Sequence, residues 1–427
     1  MKKSAAGALA LALMLLFAAT ASASAKQRGP LTGKSVTFAC ANPANHGNTG
    51  HVKLGLAPNT GKAVCLGNVI ADASHGNVGP LLTGSPTGTT PTQLQDAYKL
   101  SGLDAKGRTV AIVDAYDDPS AETDLAKYRS QYGLPACSTD NGCFKKVNQS
   151  GDASPLPSAD PGWGEEISLD LDAVSAACPT CHIELYEANS ANDPDLLAAQ
   201  KTAENSHPAA VSDSWGENEK ASDETTGDPT FAATQVPVVA GSGDSGYGGF
   251  WPAANPHVTA AGGTSLKQAS NSRGWTETAW SGSGAGCTLE PKPSWQTDGG
   301  CDKRSNADVS ADGDPNTGLG IYDTQNSCGG GALCDLLLNL GLAQGADGWV
   351  QVGGTSLATP ILASVYALAG DNGSGSDGAK KAYANTDQLN DVTSGSDGTC
   401  STSYLCNAGP GYDGPTGLGT PNGTGAF

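Results

Sequence analysis

The chain has 427 residues, 58 of them glycine, with only 15% charged and 6% aromatic residues and a formal net charge of −20. That balance excludes nucleic acid and an anionic membrane surface as partners, since both require a basic face. The same composition, with 12 cysteines, fits a loop-rich protein made for an oxidising compartment.

In chain order, Lys2 and Lys3 precede an apolar run from Ala8 to Ala19 and the small residues Ala21-Ser22-Ala23-Ser24-Ala25. This predicts a secretory signal over 1–25, and hence an extracellular protein free of the membrane once the signal is removed. Residues 26–88 read as a short N-terminal extension or propeptide. It ends in the Gly/Pro/Thr-rich linker from Gly79 to Gly88, a natural place for cleavage. In the remaining domain, 89–427, a helix start is expected at Thr92. The β-branched run Thr109 to Asp114 predicts a buried parallel strand. Further strands are expected at His182–Tyr186, Ala209–Ser212 and Val236–Ala240, with helices over 165–177 and 195–205. Strands alternating with helices predict an α/β fold: a doubly wound, mainly parallel sheet flanked by helices.

The cysteines fall into sequence neighbours: Cys40 with Cys65, Cys137 with Cys143, Cys178 with Cys181, Cys287 with Cys301, Cys328 with Cys334, and Cys400 with Cys406. Such spacing suggests local disulfides that staple loops. Cys178-Pro179-Thr180-Cys181 lacks the further ligands that a zinc site would need.

Three segments carry chemistry. In Gly353-Gly354-Thr355-Ser356-Leu357-Ala358-Thr359-Pro360, two glycines permit a tight turn. The apolar run Leu357 to Leu368 predicts a buried helix, with Ser356 at the end whose N–H groups favour an oxyanion. In Gly164-Glu165-Glu166-Ile167-Ser168-Leu169-Asp170, Glu166 and Asp170 are four apart, so a helix stacks them roughly 6 Å apart on one face. Two such carboxyls are best accommodated by sharing a proton, and a pair that shares a proton can relay one. In Val238-Val239-Ala240-Gly241-Ser242-Gly243-Asp244, a strand runs into a glycine turn and presents Asp244 at its carboxyl end, where open α/β sheets place their sites. A histidine base is poorly supplied. His46 and His51 lie in the extension, and none of His182, His207 and His257 opens a glycine-flanked helix.

The Gly-Thr-Ser-x-Ala-x-Pro run around Ser356 resembles the nucleophile motif shared by subtilisins and sedolisins, the serine-carboxyl peptidases, both with a subtilisin-like fold. Glu166 to Asp170 resembles the Glu-x-x-Leu-Asp pattern of the sedolisins, with Glu165 and Asp172 out of register. The resemblance runs from about residue 90 to the C-terminus. It implies a secreted, acid-active endopeptidase, acting as a monomer on proteins or peptides through an acyl-enzyme on Ser356. Glu166 would be the general base, Asp170 its orienting partner and Asp244 the oxyanion donor. Asp114 would extend the proton relay, with Trp215 near it. The resemblance also implies one structural Ca²⁺ in a C-terminal loop region. Asp391 and Asp413 would give side-chain oxygens, and Val392, Gly409 and Gly411 carbonyls. The chain departs from the family in its short extension and in having Gly353 where serine is common. A subtilisin-like enzyme with a histidine base and an inactive binding protein on the same fold are the alternatives.

Overall fold

A computed structural model describes residues 34–37, 62–71, 85–220, 228–325, 348–370 and 378–427. The expected signal peptide, most of the extension and the start of the linker lie outside the described residues.

The central sheet has eight strands. In chain order they are β1 (Thr109–Ala115), β2 (Phe144–Asn148), β3 (His182–Ala188), β4 (Ala210–Asp213), β5 (Val238–Gly241), β6 (Thr259–Gln268), β7 (Trp275–Ala279) and β8 (Val309–Asp312). The spatial order is β7-β6-β5-β4-β1-β3-β2, with β8 also paired to β6. Every pairing is parallel except that of β7 with β6. From β1 the chain runs to the edge strand β2, returns to β3 beside β1, and then passes through β4 to the other side. The strand order therefore reverses between β1 and β4, and a crevice opens at their carboxyl ends.

Five longer helices flank the sheet: α1 (Pro91–Ala97), α2 (Ala121–Gln131), α3 (Pro161–Ala177), α4 (Asp193–Asn205) and α5 (Thr355–Ala369). The contacts α1–α3, α2–α3 and α3–α5 place four of them together, while α4 packs on β1 and β3 with a short helix, Asp228–Ala233. Two apolar cores result, one containing Val110, Ile112, Ile167, Val174, Leu357 and Ile361, the other Ala111, Val113, Val211, Leu196, Phe231 and Trp251. Alternate residues of β1 thus feed opposite faces, as strand geometry requires.

Helix α3 begins four residues before the expected 165. The carboxylate of Asp160 accepts from the backbone N–H groups of Gly162 and Trp163 at 3.0 and 3.1 Å, and Pro161 takes the first helical position. Gly162 and Gly164 obscured that start, since glycine is a poor helix former. Helix α1 is likewise fixed by a capping box between Thr90 and Gln93.

The disulfides Cys137–Cys143, Cys178–Cys181, Cys287–Cys301 and Cys400–Cys406 are formed as the spacing suggested. The other two expected pairings, Cys40 with Cys65 and Cys328 with Cys334, are not among these. Cys40, Cys328 and Cys334 lie outside the described residues. Cys65 is disulfide-bonded.

Candidate active site

Ser356 stands in the first turn of α5, whose residues from Thr355 to Leu368 are all buried. Gly354 caps this helix at φ 101°, a conformation that side chains resist. Pro360 lies inside the helix and has no N–H for the Ser356 carbonyl four residues back. That carbonyl is instead 3.3 Å from Ser214 Oγ, just beyond the end of β4.

Helix α3 is buried from Trp163 to Ala177, so Glu166 and Asp170 are core groups rather than part of a solvated charged face. Glu166 is hydrogen-bonded to the Ser356 hydroxyl and to the backbone N–H of Gly67. Ser356 Oγ also lies 3.3 Å from the Ser214 carbonyl, and Ser214 Oγ is 2.8 Å from Asp170 Oδ1. Ser214 Oγ donates to Asp170 Oδ1, the shorter of its two contacts, and so ties the Asp170 carboxyl to the start of α5. Asp114, at the end of β1, is fully buried, and neither of its oxygens has a hydrogen-bond partner.

Burial sets the electrostatics. It raises Asp114 to about 8. It raises Glu166 and Asp170 well above ordinary carboxyls, and repulsion from Asp114 adds to both. Hydrogen bonds to an ionised form oppose this, and Glu166 receives them from Ser356 and Gly67. Asp170 receives one from Ser214 as well, and the three carboxyls are all held toward the protonated form and titrate together as one group.

Asp244 follows β5 and faces the start of α5. Its Oδ1 accepts from the Thr355 backbone N–H at 2.8 Å and from Thr355 Oγ1 at 2.7 Å, and its Oδ2 accepts from Asn68 Nδ2. Burial raises it to about 7, partly offset by these bonds. Trp215 is buried, but its indole Nε1 has no partner and its ring stands 6.0 Å from that of Trp251. The cleft instead uses the backbone of its strand, Trp215–Asn218. The three described histidines are at the wrong end of the sheet. His182 opens β3, while His207 and His257 precede β4 and β6, so they sit at the amino edge and Ser356 at the carboxyl edge.

Sequence reading missed Ser214, Asn68 and Gly67. Ser214 links the Asp170 carboxyl to α5, and the other two reach the site from the N-terminal extension.

These buried carboxyls have a consequence for stability. Asp114 and Asp244 hold protons in the folded state up to about 8 and about 7, whereas an unfolded aspartate releases its proton near ~3.9. The native state binds more protons between those limits, so this stabilisation is complete below about pH 4 and is lost as pH rises toward 8. Calorimetry on Ser356→Ala is expected to give a midpoint about 5 °C or more higher at pH 5 than at pH 8. A midpoint that rises with pH over this range would contradict the assignment.

A doubly wound, mainly parallel sheet with a helix-borne serine beside a buried glutamate at its switch point gives the chain a subtilisin-like fold. No protein-family model matches the chain. It is 31% identical over 377 residues to kumamolisin of Bacillus sp. (strain MN-32), spanning 79% of this chain and 63% of that protein. It is 28% identical over 382 residues to sedolisin of Pseudomonas sp. (strain 101), spanning 80% and 61% respectively. The solved Pseudomonas sedolisin, a serine-carboxyl proteinase complexed with two molecules of pseudo-iodotyrostatin, matches with a TM-score of 0.63 at 26% identity, over 79% of this chain and 96% of that one. In sequence and in fold the chain is similar to the sedolisins. It spans about three-fifths of the length of the curated relatives it matches.

Proposed function

We propose that this chain is a secreted, acid-active serine-carboxyl endopeptidase that cleaves protein or peptide substrates as a monomer. The observation that carries this reading is the hydrogen bond between Ser356 and the buried Glu166, at a helix start beside Asp244. Glu166 takes the Ser356 proton as Oγ attacks the substrate carbonyl. Asp170, held through Ser214, and Asp114 would share the exchangeable protons with Glu166 as one group. Protonated Asp244 donates to the oxyanion. Glu166 then protonates the leaving amine, and water repeats the cycle on the acyl-enzyme. Disulfide staples suit the extracellular location, and among the described residues no helix is long and apolar enough to cross a membrane. Casein hydrolysis by the wild type and its absence in Ser356→Ala tests the reading, and equal rates would refute it.

The C-terminal loops supply a donor set suited to one Ca²⁺. Asp391 Oδ2 accepts from the Gly411 N–H at 3.0 Å and Asp413 Oδ2 from the Gly409 N–H at 2.9 Å. Burial raises Asp413 to about 7 and the nearby Asp391 adds to it, a repulsion that a hard divalent cation would relieve. Asp391 and Asp413, with Val392, Gly409 and Gly411 in the same loops, would hold the ion. Its contribution would be structural, tying the two loops together. Chelation at neutral pH is expected to lower the melting midpoint by about 5 °C, and Asp413→Asn to abolish that response. An unchanged midpoint would exclude the site.

A further inference from the structure

The cleft is filled by the chain's own N-terminal extension. Val64 and Cys65 pair antiparallel with Gly216 and Trp215, and the Leu66 N–H donates to the Ser214 carbonyl at 3.2 Å. Two residues later, Asn68 and Val69 pair antiparallel with Gly353 and Val352, on the strand Trp349–Gly353 that leads into α5. The segment leaves one strand edge after Leu66 and joins the other at Asn68. It therefore crosses the start of α5 at the Leu66–Gly67 peptide bond.

The atoms of that bond meet the proposed machinery. The Leu66 carbonyl oxygen packs against Gly354 so closely that a Cβ there would collide with it. On the other side, the Gly67 N–H donates to Glu166, the group bonded to Ser356. The carbonyl thus faces the serine helix, and the nitrogen faces the carboxyl that would protonate a leaving amine. The Leu66 side chain is buried against Gly241, where a Cβ would stand 2.7 Å from Leu66 Cδ1 and 2.9 Å from Thr355 Oγ1. Glycine at 241 makes room for that side chain. A Cβ on Gly67 would lie 2.6 Å from Glu166 Oε2, so a small residue fits best on the amine side.

We propose that Leu66–Gly67 is this protein's own processing site, and that the same pockets select substrates with an apolar residue before a small one. The proposal rests on the reading of Ser356 as nucleophile and Glu166 as its base. Ser356 Oγ adds to the Leu66 carbonyl carbon, and the C–N bond breaks. Glu166 gives the Gly67 nitrogen the proton it took from Ser356, and water hydrolyses the Leu66 ester. The products are a free Leu66 carboxylate and a new amino terminus at Gly67, upstream of the Gly79–Gly88 linker. Until then the segment occupies the ground on which any other peptide would have to pair, so general activity should follow the cut after a lag.

The test incubates full-length wild type, Ser356→Ala and Leu66→Asp at about pH 4, with intact-mass analysis and N-terminal sequencing, alongside casein hydrolysis. A synthetic peptide of residues 63–71, with serine in place of Cys65, is the substrate supplied from outside. Expected is a wild-type fragment beginning at Gly67, an uncut Ser356→Ala chain, a cut slowed about tenfold or more in Leu66→Asp, and cleavage of the peptide between its leucine and glycine. Casein hydrolysis with no cut at Leu66–Gly67 in either chain or peptide would overturn the processing site and leave the peptidase standing. A wild type that cuts neither itself nor casein would overturn both.

Discussion

Alanine at Ser356 is expected to lower kcat on a protein substrate by about 10⁴-fold or more, and alanine at Glu166 by a comparable factor. The two losses should not add, because the hydroxyl and the carboxyl act as one unit. Without Glu166, Ser356 keeps only the Ser214 carbonyl at 3.3 Å, and an amide carbonyl is far too weak a base to take its proton. Asp170 cannot substitute, since its bond runs to Ser214 rather than to Ser356. Single-turnover kinetics on Ser356→Ala, Glu166→Ala and the double variant test this. A double variant slower by the product of the two factors would show that the residues act independently.

The second large effect concerns Asp244. Its carboxyl is raised to about 7 by burial, and on the proposed mechanism it helps only while protonated. Oxyanion stabilisation is therefore present below about pH 7 and lost as pH rises through it. Asp244→Ala is expected to lower kcat by about 10²–10³-fold at acid pH, the usual cost of losing one oxyanion donor. Asp244→Asn keeps a donor at every pH, so its rate should fall less and its alkaline limb should move upward. An asparagine variant with the same alkaline limb as the wild type would assign that limb to another group. On the proposed mechanism the acid limb would come from the Glu166, Asp170 and Asp114 cluster. Its groups titrate together, so Asp114→Asn is expected to shift that limb rather than abolish activity.

Much of the site was legible because its signals are local. The glycines before Ser356 and the apolar run after it define a strand-to-helix turn within one segment. The four-residue spacing of Glu166 and Asp170 needs only helix geometry. Asp114 closes a β-branched run, so its place at a strand end was readable too. Other features were hidden for physical reasons. Strand β6 begins Thr-Ala-Ala-Gly-Gly and is buried from Thr259 to Leu266, so neither alternation nor β-branched enrichment marks it. Ser214 matters because Pro360, 146 positions away in sequence, frees a carbonyl for it. The 62–71 segment pairs with residues up to 285 positions distant, in stretches too short to show a period. The backbone of Trp215 pairs with Cys65, 150 positions away, and its ring packs on Trp251.

The central claim is that a carboxyl, not a histidine, serves Ser356. The pH dependence of kcat/KM on casein from about pH 2 to pH 9, for wild type and Glu166→Gln, tests it most directly. The account predicts a wild-type optimum below pH 7 and near-complete loss at every pH in Glu166→Gln. A neutral or alkaline optimum that survives in Glu166→Gln would contradict it.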